Sequence, residues 1–204
     1  RRHRRGHHRP PPGGLRRVAV CKLIDHWARY DPLSAKVWME ENVGNSNLPE
    51  ARVELGESWA RVDPSDAVKW VMKLDGSDAK NSRVMDRVFK RWLQYDPDNA
   101  ANWLVDQEPS RLLDPAVERY IHKVVRLDPE ATMPWAESIT HPSRRANLIQ
   151  QVAHFWKSRN PEAMAEYVSN SSFLSRESKE RLMRPQSRGS EGSHGRDRHP
   201  GNDR

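Results

Sequence analysis

WLQYDPDNAANW, residues 92–103, sets two tryptophans eleven positions apart around an Asp-Pro. The arrangement recurs as WARYDPLSAKVW at 27–38 and WARVDPSDAVKW at 59–70. VVRLDPEATMPW keeps only the second tryptophan, Trp135, and WKSRNPEAMAEY keeps only the first, Trp156. The prolines of these copies, Pro32, Pro64, Pro97, Pro129 and Pro161, lie 32, 33, 32 and 32 residues apart. Five residues before each stand Trp27, Trp59, Trp92, Val124 and Trp156; six after stand Trp38, Trp70, Trp103, Trp135 and Tyr167. The two columns contain all 8 tryptophans of the chain. A fixed period of this length is the signature of stacked repeats, in which each unit buries its apolar face only against its neighbours.

One copy can be read in detail. A residue before proline is driven toward extended backbone, which is the geometry of a helix N-cap, and its carboxylate can accept from an amide of the first turn. Proline suits the first helical position because it has no amide to leave unpaired. Asp63-Pro64 therefore predicts the start of a helix, and the same holds at Asp31, Asp96 and Asp128, with Asn160 as the fifth cap. A second helix precedes each junction, with apolar sets such as Val84, Val88, Phe89, Trp92 and Tyr95 at helical spacing. These second helices start at Pro49, Pro115 and Pro142, and links such as GNSN (44–47) and DGSD (75–78) are short. Pro134 falls inside a predicted helix, where a proline loses a hydrogen bond at a cost of about 3 kcal/mol, so that helix is expected to kink or restart there. The expectation is an all-α chain: a right-handed α-solenoid of about five helix-turn-helix units with a period of 32–33, spanning 16–183. Residues 16–30 read as a second helix without its first, either a cap or the remainder of an upstream unit; residues 175–183 can close the other end as one more helix.

The ends differ from the middle. Residues 1–17 carry seven arginines (Arg1, Arg2, Arg4, Arg5, Arg9, Arg16 and Arg17) and no acid, whereas residues 18–173 hold 20 basic and 23 acidic residues. The formal charge of +7 thus belongs to the ends. Residues 1–15 and 184–204 are poor in apolar side chains and are expected to stay disordered, because they cannot bury enough surface to offset ordering entropy. No apolar run approaches the roughly 20 residues that cross a bilayer. A single cysteine, Cys21, excludes an internal disulfide framework and fits a reducing, cytoplasmic compartment.

The junction D-P-x-x-A-x-x-W resembles the boundary between tetratricopeptide repeats, where a proline closes one unit and an alanine and an aromatic open the next. The resemblance covers about residues 18–170 and is confined to the junction: the family's L-G-x-x-Y is absent, and a tryptophan stands where the family has a small residue five positions before the proline. The pattern also looks like tryptophan-rich helical repeats of uncharacterised bacterial proteins. The family's geometry implies that first helices line a concave groove holding a peptide. Met39, Val71, Leu104 and Ala136 follow the tryptophans, so the lysine-and-asparagine clamp that one subclass uses for a terminal carboxylate is missing. The groove residues the resemblance implies are Lys36, Glu40, Asp75, Glu108 and Glu137, a mainly acidic set that favours a basic ligand.

Other chemistries find less support. A tryptophan ladder can stack nucleic-acid bases, but these tryptophans lie on the apolar stripes of their helices, which is the place for packing. The Asp-Pro carboxylates are spaced one per unit and cap helices rather than converge as an acid–base pair. His26, His122, His141 and His154 are isolated in sequence and lack metal-ligand spacing. Neither a glycine-rich phosphate loop nor a G-x-S-x-G elbow is present. No cofactor and no metal are expected. The leading expectation is a non-enzymatic protein or peptide interaction scaffold. The alternative is a nucleic-acid-associated protein whose arginines contact phosphates without reading bases; an enzyme ranks third.

Overall fold

In a computed structural model, residues 13–43, 49–75 and 78–184 are described. Arg1, Arg2, Arg4, Arg5 and Arg9, the GNSN link and the polar tail from 185 lie outside them. The described residues form eleven α-helices and no strand: α1 (Gly13–Trp27), α2 (Pro32–Val43), α3 (Pro49–Trp59), α4 (Pro64–Met72), α5 (Asp78–Tyr95), α6 (Pro97–Val105), α7 (Asp114–Val124), α8 (Pro129–Ser138), α9 (Pro142–Arg159), α10 (Pro161–Asn170) and α11 (Arg176–Met183).

The junction prolines open α2, α4, α6, α8 and α10, and Pro49 and Pro142 open α3 and α9. The caps work as their chemistry requires. Asp63, Asp96, Asp128 and Asn160 hold near-identical φ of −142° to −147°, and each side chain accepts from the amide three residues on, at 2.9 to 3.3 Å. The cap residue also ties the preceding helix down. Its own amide donates to the carbonyl four residues back, that of Trp27, Trp59, Trp92, Val124 or Trp156, at 2.8 to 3.0 Å. Each junction is thus one hydrogen-bonded corner joining two helices.

Helix α1 ends three residues before the expected boundary, because residues 28–30 close into the turn that leads to Asp31. Helix α8 runs through Pro134 without restarting there. Thr132, Met133 and Ala136, on both sides of the proline, are buried at 0–1% exposure. Burial of that face holds the helix together despite the missing bond, while the proline ring itself is exposed.

Helices α1, α3, α5 and α7 pack in succession, and each of α2, α4 and α6 sits against the odd-numbered helices beside it. Polar contacts cross the same boundaries, and one more joins α7 to α9. Ser58 donates to Asp25 at 2.7 Å, Arg91 pairs with Glu57, Arg119 grips Asp86 at 2.6 and 3.0 Å, and Arg144 reaches Glu118 at 3.8 Å. Farther on, α8 packs along α9, and Asp114 at the start of α7 pins the connection between them. Its buried carboxylate accepts from the Thr140 amide, the Thr140 hydroxyl and the His141 amide, at 2.8 to 3.0 Å.

The tryptophan columns meet across each corner. Trp27 faces Trp38 at 6.1 Å between ring centres, Trp59 faces Trp70 at 5.8 Å, Trp92 faces Trp103 at 5.7 Å and Trp156 faces Tyr167 at 5.1 Å. In the fourth copy Val124 offers no ring, and Tyr120 one turn earlier meets Trp135 at 5.0 Å instead. Trp59, Trp70, Trp92 and Trp156 are only 4–6% exposed; Trp27, Trp38, Trp103 and Trp135 are half-buried against the same core. Gly56 allows α3 and α5 to approach: a β-carbon there would stand 2.9 Å from a methyl of Val84 and 2.9 Å from one of Val88.

Candidate functional site

Where α2, α3, α4 and α5 meet, they leave a cleft of about 740 Å³, floored in part by Trp59, Trp70 and Val84. Three of the predicted groove residues, Lys36, Glu40 and Asp75, converge on it. The other two do not. Glu108 is exposed in the connection from α6 to α7, and Glu137 on α8 accepts from the Tyr167 hydroxyl at 2.5 Å. That bond is a packing contact between α8 and α10, so Glu137 is engaged within the protein itself. Burial, and then the bond to Glu137, raise the Tyr167 hydroxyl above the ordinary tyrosine range. Met39, Val71, Leu104 and Ala136, the residues after the tryptophans, are core side chains at 0–4% exposure.

The charge of the cleft differs from that of the predicted groove set. Its walls carry five cations (Lys36, Arg52, Lys69, Lys73 and Lys80) against three carboxylates (Glu40, Asp66 and Asp75). Taking residues by their offset from the tryptophans found Lys36 and Glu40 on α2 and passed over Arg52 and Lys80, which the neighbouring helices α3 and α5 contribute. Two of the carboxylates are spent on their own helices: Glu40 pairs with Lys36 at 3.5 Å and Asp66 with Lys69 at 2.8 Å. Lys73, just past the end of α4, and Lys80, in the first turn of α5, have no ion pair among the described residues.

Two buried polar atoms belong to residues of the same cleft and lack a hydrogen-bond partner in the protein: the indole Nε1–H of Trp70 and the Oδ1 of Asn81. The side chains are 6% and 4% exposed. The amide of Asn81 is oriented by its Nδ2, which donates to the Leu74 carbonyl at 2.9 Å and leaves Oδ1 as the spare acceptor. Buried polar groups are almost always partnered, and leaving one unpaired costs about 1–3 kcal/mol. Trp92 Nε1 is the third such atom, and it belongs to the core, outside this cleft. Nothing in the sequence marks Asn81, since an asparagine in the first turns of a helix is ordinary.

The remaining candidates scatter. Arg16 and Arg17 belong to α1, where Arg17 is exposed. Cys21 is half-buried; burial and the carboxylates of Glu54 and Glu50 push its thiol up, so little thiolate forms at neutral pH and the group is a poor nucleophile. Among the described residues no three His, Cys, Asp or Glu side chains converge as a metal site would need. Nor is any described helix long and apolar enough to cross a membrane. In comparisons with known proteins, no family model, no curated protein and no solved structure matches the chain.

Proposed function

We propose that the chain is a non-enzymatic interaction scaffold: a tetratricopeptide-like right-handed α-solenoid of about five helix-turn-helix units that holds a protein segment in its concave face. The recurrence supports the solenoid. The same cap position and the same carbonyl acceptor recur at each junction, an aromatic pair of the two columns meets at four of the five, and the polar contacts across α1, α3, α5 and α7 join residues 33 or 34 apart. The cleft among α2 to α5 carries the functional reading, because it is deep enough for side chains, partly apolar and walled by polar heads on successive helices. Ligand sites combine these features.

The test is selection of random octapeptides on the full chain. Peptides should be retained, and Leu33→Trp should release them, because Leu33 lies at the cleft, is 61% exposed, and can carry a larger ring without disturbing the core. Failure to retain any peptide contradicts the scaffold.

A second reading keeps one observation in its favour, the seven arginines and no acid in residues 1–17. In it, the arginine-rich end contacts nucleic-acid phosphates and the helices dock a partner. Full-chain binding to RNA or duplex DNA should then vanish when those arginines become serines.

A further inference from the structure

We propose that the cleft among α2 to α5 recognises an internal acidic peptide segment, one backbone peptide group bridging Trp70 and Asn81 while acidic side chains pair with Lys73 and Lys80. The inference rests on the cleft being a peptide site and adds what the peptide must be.

Hydrogen-bond complementarity sets the first requirement. Trp70 Nε1–H can only donate and Asn81 Oδ1 can only accept. A ligand that satisfies both must bring an acceptor and a donor together. A carboxylate or an ionised phosphate brings acceptors alone and leaves Asn81 Oδ1 unpaired. A peptide group brings a carbonyl and an N–H on adjacent atoms and needs no chain terminus to do so.

Charge sets the second requirement. Glu40 and Asp66 are already paired with Lys36 and Lys69. Lys73 and Lys80 have no ion pair among the described residues, and they stand on the walls of the same cleft as Trp70 and Asn81. Acidic side chains flanking the bound peptide group have these two ammonium groups to meet. A basic segment, the ligand favoured by the composition of the predicted groove, would face both.

The experiment uses the full chain and a synthetic pool of random octapeptides, acetylated and amidated so that no terminal charge remains. Retained sequences should be enriched in Asp and Glu. Lys73→Glu with Lys80→Glu should weaken a retained acidic peptide on the order of tenfold or more, while leaving thermal unfolding as in the parent, since Lys73 and Lys80 are both exposed. Binding should move the indole N–H resonance of Trp70 in a ¹⁵N spectrum, assigned through Trp70→Phe. Enrichment in basic or uncharged sequences that Leu33→Trp still releases would overturn the acidic specificity and leave the peptide cleft standing. Enrichment indifferent to Leu33→Trp would remove the cleft as the site, and with it both readings. Displacement of the peptide by millimolar inorganic phosphate that also moves the Trp70 resonance would make this a small-anion site. Displacement by single-stranded DNA, with the same resonance moving, would transfer the cleft to nucleic acid. Retention from a pool with free C-termini but none from the amidated pool would show terminal-carboxylate capture instead of recognition of an internal segment.

Discussion

Trp92 is 4% exposed and packs edge-on to Phe89 and face-tilted to Trp103, with ring centres 6.1 and 5.7 Å away. Truncation there removes a large buried side chain whose surroundings, in mid-chain, cannot collapse to fill the space. Trp92→Ala is expected to lower unfolding free energy by about 3–5 kcal/mol, measured by urea titration, and the half-buried Trp27 should cost less on the same change. Gly56→Ala tests a subtler point. Alanine is the better helix former by about 1 kcal/mol, but its methyl would press on Val84 and Val88, two stiff, buried β-branched side chains. The overlap should win, and the variant should be less stable than the parent by about 1–2 kcal/mol in the same titration. The tryptophans were legible because their identity repeats. Gly56 was not, because the position eight before each junction proline is filled by Ile24, Gly56, Phe89, Ile121 and Ala153, all buried but alike in nothing else. Tyr120 escaped notice for a related reason: it replaces the ring absent at Val124 from one turn earlier, a substitution that spatial packing permits and column reading overlooks.

Helix boundaries were the most readable feature, since proline at the first position and Asp before it act locally and need no tertiary context. Pro134 shows where local reasoning stops. Its ring lies on the exposed side of α8 while the buried face of Thr132, Met133 and Ala136 keeps the helix whole. Pro134→Ala should restore the missing bond and raise stability by about 1–3 kcal/mol, read as a higher unfolding midpoint. An unchanged or lowered midpoint would mean that the proline is accommodated without cost. The α8–α10 contact offers a pH test. Tyr167 is held neutral above the ordinary tyrosine value by burial and by its bond to Glu137. A group with its folded value raised contributes in full below its unfolded value, near 10, and that contribution is lost as pH rises through the folded value. The parent should therefore lose stability above about pH 10 more steeply than Tyr167→Phe, which has no proton to lose. Parallel alkaline limbs in the two proteins would remove Tyr167 from the explanation.

Taken together, the eleven helices of the described residues, joined by recurring corners, leave a cleft where α2, α3, α4 and α5 meet, and its character could not be read along the chain. Lys36, Glu40 and Asp75 were found because they ride on the repeat. Arg52, Lys80 and Asn81 come from the odd-numbered helices, whose polar residues follow no period, and the two cations among them change the sign of the site. The separation of charge between the ends and the middle has its own consequence. Any nucleic-acid binding by the full chain should fall steeply with salt, with a log–log slope of about −0.9 per phosphate contact on duplex DNA, because arginines release counterions; a salt-resistant complex would contradict that assignment. The most direct test of the scaffold is hydrogen exchange of the full chain, alone and saturated with an acidic octapeptide taken from the selection. The account predicts added protection confined to amides of α2, α3, α4 and α5 and the turn around Lys73 to Asp75. Protection centred on α8 to α10, or none despite saturation, would contradict it.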